Sequence, residues 1–533
     1  MTRNPSTKLL VCLIALALAG FCGLSGCAQH NYKKEADDQV QNIIDEKWRE
    51  DFGTKANYKI SDTEPSPNDI QIDKAVASSV LTLPQAVALA TAYNREYQSQ
   101  REALYIKALD LRLTRHEFET QFFGGLSGGY NADRNDGAVG AEARAGFNRL
   151  LAGGTRISTE IAAAWVDVLT GNLRGGLASI LSVTVAQPLL RGSERMIVLE
   201  NLTQAERDTL YQVRSFNRFR KTFVVSIISD YYSVLQKLDT VQNAETNYAT
   251  MEWVYDNVEE LANAGRVPLL ELDQVRQEKL QAVNEHSQAT REYKQALDEF
   301  KIALGLRTTT DLRLDKSEFE ALRTAKMTNP DFYEPDVLEA ALLQRLDLVN
   351  GADAVIDAQR KVHVAADSLR ADASLVGTAG AVSARKASRG TLGWMREEYG
   401  VGLELDLPLD RVPEQNVYRK ALITLNQRQR EYEEAADVVM LDVRKAYRDL
   451  TEAAGRYKVL SEELDLAQQR FNNSFLLLQY GRASSRRVLD AQKDLFDARN
   501  SAAQALVDYT IATLSFYRDT GAIQVRPDGM WEL

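Results

Sequence analysis

The chain reads as a mainly α protein with β, written as two structural repeats, whose strands suit a closed wall in a membrane. Three observations predict this. Ser193 to Ala264 holds neither Gly nor Pro, so a single helix of about 100 Å is expected there at about 1.5 Å per residue. Val225 to Val275 aligns with Leu441 to Ala491 at a constant offset of 216 and without a gap. Ahead of each long helix lies a Gly-rich section in which apolar and polar residues alternate, the period of a strand rather than a helix.

The N-terminus carries Arg3 and Lys8, then an apolar run from Leu9 to Leu18, too short for a span of roughly 20 residues. Leu24-Ser25-Gly26-Cys27 follows and resembles the lipobox of bacterial lipoprotein signal peptides. The resemblance implies removal of residues 1–26 and a lipid, palmitate included, on Cys27. Each buried methylene of such chains contributes about 0.8 kcal/mol, so several chains anchor stably. Cys12 and Cys22 would leave with the signal, so no thiol remains for a disulfide, a metal or a nucleophile. Ala28 stands where an Asp would suggest inner-membrane retention, which points to the outer membrane.

Residues 27–80 are acidic and polar, with a helix expected from Ala36 to Phe52. They are read either as a tether from the lipid or as a disordered linker. Repeat 1 is placed at 81–305, a connector at 306–330, repeat 2 at 331–522 and a tail at 523–533. In each repeat a helix pair precedes the strands, Ala88 to Tyr97 corresponding to Ala341 to Leu348. The long helices carry an apolar stripe, Phe216, Phe219, Phe223, Ile227, Tyr231, Val234 and Leu238, broadened by Ile228 and Leu235. A stripe that wide suits a helix packed between two neighbours.

Tyr399 to Leu407 is the clearest strand, with Val401, Leu403, Leu405 and Leu407 on one face and Gly402, Glu404 and Asp406 on the other. Pro408 is expected to end it. Its counterpart runs from Ile180 to Gln187, and Arg156 to Val166 and Val139 to Leu150 alternate too. Apolar-out, polar-in alternation is the signature of a transmembrane barrel. No apolar run after Cys27 is long enough to span as a helix, so only a closed barrel is left for crossing a membrane. The few strands read in one chain fall short of the roughly eight a barrel needs, so a membrane-spanning wall would demand an oligomer.

Helical turns are expected at Gly265-Arg266-Val267 and at Gly481-Arg482-Ala483, where a left-handed Gly can end a helix. Other function classes find little support. A net charge of −11 without a basic cluster argues against nucleic acid. His30, His116, His286 and His363 are scattered without metal-ligand spacing, and no Gly-rich phosphate loop follows a strand. Pairs such as Glu462-Glu463 suit solvated helix faces better than acid–base work. No enzyme, no metal and no cofactor beyond the lipid on Cys27 is therefore expected.

In order, spacing and duplication these features resemble the TolC-like outer-membrane factor family over Leu81 to Ala522. The residues that carry the resemblance are Leu81-Thr82-Leu83 with Ala86, Leu89 and Ala90; Gln187-Pro188-Leu189-Leu190 and Leu407-Pro408-Leu409; Tyr480-Gly481 leading to Val488-Leu489-Asp490-Ala491-Gln492; and Tyr509 to Gly521. It implies a homotrimer with a twelve-stranded transmembrane β-barrel continuous with a long periplasmic α-helical barrel. It further implies a passive exit channel of a tripartite efflux pump or type I secretion system, partnered by a periplasmic adaptor at the helical turns and by an inner-membrane transporter. By the same resemblance, residues beyond the second turn would gate the entrance: Asp490, Arg487 where an aspartate is usual, and Glu271 at the matching site of repeat 1. The N-terminal segment would then lie in a groove between protomers. The competing reading is a periplasmic coiled-coil lipoprotein with a structural or adaptor role, for which strands between two hairpins are superfluous. One departure stands out: between Phe118 and Gly192 the first strand section is longer than its partner. The extra 137–168 segment could lie in the barrel wall, below it or outside.

Overall fold

The computed structural model describes residues 29–49, 80–132, 137–168, 176–325, 332–384, 396–407, 409–480, 482–526 and 531–532. Cys27, Pro408 and Gly481 lie outside them. In chain order the elements are α1 (Gln29–Lys47), α2 (Leu83–Tyr93), α3 (Arg95–His116), β1 (Gln121–Ala132), β2 (Gly137–Leu150), β3 (Arg156–Val168) and β4 (Gly176–Pro188). There follow α4 (Arg195–Val198), α5 (Glu200–Asn263), α6 (Leu269–Ala303), α7 (Ser317–Thr324), α8 (Glu334–Gln344), α9 (Leu346–Asp367), β5 (Asp372–Ala384) and β6 (Arg396–Asp406). The last are α10 (Val412–Gln479), α11 (Ser485–Thr520), β7 (Gln524–Val525) and β8 (Trp531–Glu532). Two compact units divide the chain, one holding the sheet and the other the long helical hairpins.

The sheet is a single antiparallel ladder in the order β1-β2-β3-β4-β5-β6. Its register places Phe122, Leu126 and Tyr130 of β1 opposite Phe147, Ala143 and Val139 of β2. The same face continues through Ile157 and Ile161 of β3, Val185, Val183 and Leu181 of β4, and Leu375 of β5 to Leu405, Leu403, Val401 and Tyr399 of β6. This face is mostly apolar and largely uncovered, with Phe122 81% and Val401 83% exposed, and Arg149, Thr159, Ser179, Ser383 and Glu397 interrupt it. The other face is polar or small, with Glu142, Arg144, Ser158, Glu160, Ser182, Thr184, Thr378 and Glu404, interrupted by Phe123, Ile180 and Val376. At 11 to 14 residues, every strand reaches the 9 to 11 or so that a tilted membrane strand needs. Among the described residues no helix is long and apolar enough to cross a membrane.

Among the described residues one chain supplies six strands to this sheet, not the four that a twelve-stranded trimer implies. The surplus is traceable. Helices α3 and α9, each of 22 residues, start 251 residues apart, at Arg95 and Leu346. Helices α6 and α11 start only 216 apart, at Leu269 and Ser485. Repeat 1 is thus 35 residues longer, and the excess is the β2–β3 hairpin, inserted between strands β1 and β4 that match β5 and β6. The helix registers also set Ala90 on Ala341, whose carbonyls accept from Asn94 and Arg345. That moves the front of the expected Ala88–Ala341 correspondence by two residues.

In the same unit as the sheet, α1 begins seven residues earlier than expected and ends at Lys47. Val40, Ile43 and Ile44 on it are buried. The Tyr105 hydroxyl donates to Asp37, Arg115 of α3 pairs with Glu46 at 3.1 Å and with Glu206 of α5 at 3.2 Å, and Lys47 lies 3.7 Å from Glu206. The segment is therefore fastened within its own chain.

In the helical unit, α5 has 64 residues and α10 has 68, so each runs about 100 Å. Most of the expected stripe is buried, Phe216, Phe223, Ile227, Tyr231 and Val234 on α5 with Ile228 and Leu235 beside them, whereas Phe219 and Leu238 are half-buried. Duplication persists at atomic detail. Tyr231 donates to the Leu81 carbonyl at 3.0 Å and its ring meets Phe300 edge-on at 6.1 Å. Tyr447 donates to the Phe332 carbonyl at 3.4 Å and its ring lies 6.1 Å from Phe516. Ion pairs lock the helices laterally, with Arg214 on Asp353 at 2.6 Å and Arg345 on both Asp347 and Asp442.

Candidate functional site: the paired helical tips

Helix α5 stops because Gly265 takes a left-handed φ of 68°. The Arg266 amide then donates to Leu261 and the Gly265 amide to Ala262, both at 2.9 Å, which satisfies carbonyls the helix end leaves open. Beyond helix α10 the Arg482 amide likewise donates to Leu477 at 2.8 Å, with each of these two residues 216 beyond its partner. Gly481 itself lies outside the described residues. Arg266 and Arg482 are exposed, Ala483 is half-buried, and Val267 packs against a core of Met251, Val254, Val258, Val275 and Leu489. Val267 is thus an anchor that fixes the turn, while the arginines are presented outward.

The two tips lie side by side. Trp253 of α5 meets Phe475 of α10 at 4.9 Å, and Leu489 of α11 completes the core of the first hairpin. A buried amide pair, Gln492 to Asn247 at 3.1 Å, adds a directional link. Lys279 of α6 reaches Glu252 of α5 at 3.1 Å and sits over the Tyr255 ring, holding the first hairpin closed. That contact lowers the Glu252 carboxyl below its usual range, chiefly through the hydrogen bond from Lys279.

Of the three expected gate residues, Glu271 is half-buried and accepts a hydrogen bond from the Ser485 hydroxyl at 3.1 Å. Arg487 and Asp490 are exposed on α11. Within one chain Glu271 therefore engages a serine of the neighbouring tip, not Arg487. Sequence reasoning missed Ser485, which is only 2% exposed. Its signal was available: Ser484-Ser485 opens α11 where Pro268-Leu269 opens α6. Reasoning also missed Leu269 and Leu270, 72% and 69% exposed beside Arg266. The tips thus offer cationic and apolar groups on rigid helix ends, which suits docking rather than bond chemistry. Cys27, the expected lipidation site, lies outside the described residues.

Residues 337–522 match the family model described as Outer membrane efflux protein. No curated protein matches the chain by sequence. Among solved structures, the fold is that of the Campylobacter jejuni CmeC outer membrane channel, at 15% identity and a TM-score of 0.59, covering 87% of this chain and 94% of that one. The open state of the Neisseria gonorrhoeae MtrE outer membrane channel is similar at 14% identity and 0.59, covering 89% and 98%. The Vibrio cholerae outer membrane protein VceC is similar at 10% and 0.59, covering 82% and 96%. The likeness read from the residues therefore stands, and it extends over nearly the whole length of these channels.

Proposed function

We propose that this chain is the outer-membrane exit channel of a tripartite efflux pump or type I secretion system. The observation that carries the reading is the six-strand sheet with one mostly apolar and one mostly polar face, in a chain that also holds two helical hairpins with matched tips, each with one arm of about 100 Å. An apolar face of this extent costs free energy in water and little in lipid. A spacer or adaptor lipoprotein would have no use for it. Three copies close one barrel wall, and the lipid on Cys27 adds an anchor to the outer membrane. Arg266 and Arg482, with Val267 and Ala483 behind them and Leu269 and Leu270 beside them, receive the adaptor, which couples the channel to an inner-membrane transporter. The conduit is passive: it carries no catalytic group, binds no metal or cofactor and takes its energy from that partner.

Membrane fractionation and unheated gel migration test this together. The expected result is a heat-modifiable trimer in the outer-membrane density fraction that forms channels in planar bilayers. A monomer released without detergent once Cys27 is replaced would sink the reading in favour of a periplasmic lipoprotein.

A further inference from the structure

We infer that the barrel wall of the assembled channel has eighteen strands. The inference rests on the trimeric reading above, but its own warrant lies in how the inserted hairpin is built into the sheet. Strand β2 pairs along its length with β1 on one side and β3 on the other. Strand β3 likewise pairs with β2 and with β4, Ile157 facing Val185 and Ile161 facing Leu181. No ladder joins β1 to β4, so the hairpin cannot be a flap folded off a four-stranded wall. Removing it from the wall would break two complete ladders and leave their backbone groups unpaired in lipid.

Side-chain chemistry agrees. Both inserted strands keep the apolar face in phase with the other four, through Val139, Ala141, Ala143, Ala145 and Phe147 on β2 and Ile157 and Ile161 on β3. A hairpin outside the membrane would have no reason to continue that face. The polar face of the hairpin carries Glu142, Arg144, Arg156 and Glu160, which suits a water-filled lumen. Arg144 lies over Gly125, and the Phe123 ring covers Gly146 where a Cβ would clash, so the inserted strands are packed on the lumen side as well.

The outer ladder edges of β1 and β6 remain open. Six antiparallel strands leave these edges running in opposite directions, so β1 of one copy can pair antiparallel with β6 of the next, and the ring closes without an edge. At a spacing of about 4.8 Å and a tilt of about 40°, twelve strands enclose a backbone diameter of about 24 Å and eighteen about 36 Å. The wall would thus be wide enough that the helical entrance, not the barrel, limits what passes.

The full-length complex, extracted with its lipid and placed in nanodiscs, tests this in two independent measurements. Its native mass gives the number of chains, and a density map of the barrel gives the number of strands. Three chains with eighteen strands at about 36 Å are expected. Three chains with twelve strands and the hairpins lying off the wall would overturn the inference and leave the channel reading untouched. Two chains with twelve strands would overturn the count and the trimer together. A variant lacking the 35-residue excess, which joins β1 to β4, should keep the mass of three chains and narrow the barrel by about one third. An unchanged diameter in a folded variant would also refute the inference, and a variant that fails to fold leaves the wild-type map decisive.

Discussion

The Ser485 hydroxyl donates to a carboxylate oxygen of Glu271 over 3.1 Å, joining the first turn of α11 to the first turn of α6. Arg487, two residues further along α11, is exposed. In the proposed ring of three chains half-buried Glu271 and exposed Arg487 would alternate, and a pair at such a surface would contribute only about 0 to 1 kcal/mol. Closure of such a ring would have to be cooperative. Glu271→Arg is expected to raise single-channel conductance and admit large antibiotics, and adding Arg487→Glu should restore closure. Ser485→Ala should leak less than Glu271→Arg, because it loosens one hydrogen bond without reversing a charge. A double reversal as leaky as the single one would leave Asp490 as the remaining candidate at the constriction.

Reversing both exposed arginines, Arg266→Glu with Arg482→Glu, should uncouple transport in cells while the yield of trimer stays the same. Their amides, not their side chains, hold the turns, so the fold has no stake in the charge. Leu269→Ser with Leu270→Ser should weaken adaptor capture further. Wild-type transport in all four substitutions combined would exclude these tips as the docking surface.

The two tyrosine hydroxyls give a graded stability test. Tyr231 is fully buried, and Tyr231→Phe removes one of two donors to the Leu81 carbonyl, which keeps the Asp315 amide at 3.1 Å, so it should cost about 1 kcal/mol in denaturant melts. Tyr447 is half-buried and its bond is longer at 3.4 Å, so Tyr447→Phe should cost under about 1 kcal/mol. Equal losses would show that the repeats share more than their geometry.

Burial first, then the neighbouring Arg218 and Arg220, pulls the Lys221 ammonium down to about 8, although it still donates to the Gly521 carbonyl at 2.9 Å. The unfolded chain holds that proton more tightly than the folded one. Stability from this group should therefore rise as pH climbs through about 8 and level off near the usual lysine value of 10.5. Thermal melts across that window should show the rise, and Lys221→Met should flatten it.

Cys27→Ser should abolish acyl labelling. On the proposed reading the barrel would insert without the lipid, so part of the protein should persist in the outer membrane. Labelling that survives would mean that the lipobox was misread.

Much of this architecture could be read from residues alone, where the chemistry offers contrast. Long helices show through the absence of Gly and Pro, and the turns through Gly265 and Gly481. Strands β3, β4 and β6 show because Ile, Val and Leu alternate with Ser, Thr and Glu. Strands β1 and β5 were not singled out, since Gly124 and Gly128 on one and Gly377, Ala379 and Ala381 on the other flatten the same alternation. Their membership rests on ladder bonds to neighbours, which a pattern within one segment cannot reveal. The seat of α1 against α3 and the Glu271–Ser485 contact join residues far apart in the chain, as tertiary packing does. The tip leucines were visible, but apolar residues at a helix start look like core until a structure leaves them uncovered.

The 35-residue excess consists of one strand pair, and the parity matters more than the length. A pair sends the chain out and back, so β4 leaves the sheet on the same side, and in the same direction, as it would without the insertion. Nothing downstream has to move: α5 and α6 still meet their counterparts at a constant offset of 216, down to the amide that caps each turn. A single added strand would have reversed the chain and destroyed that match. In the proposed channel, circumference could therefore change in steps of two strands per copy during descent while the tips stay fixed, so the girth of the wall and the fit of the tips would be free to evolve separately.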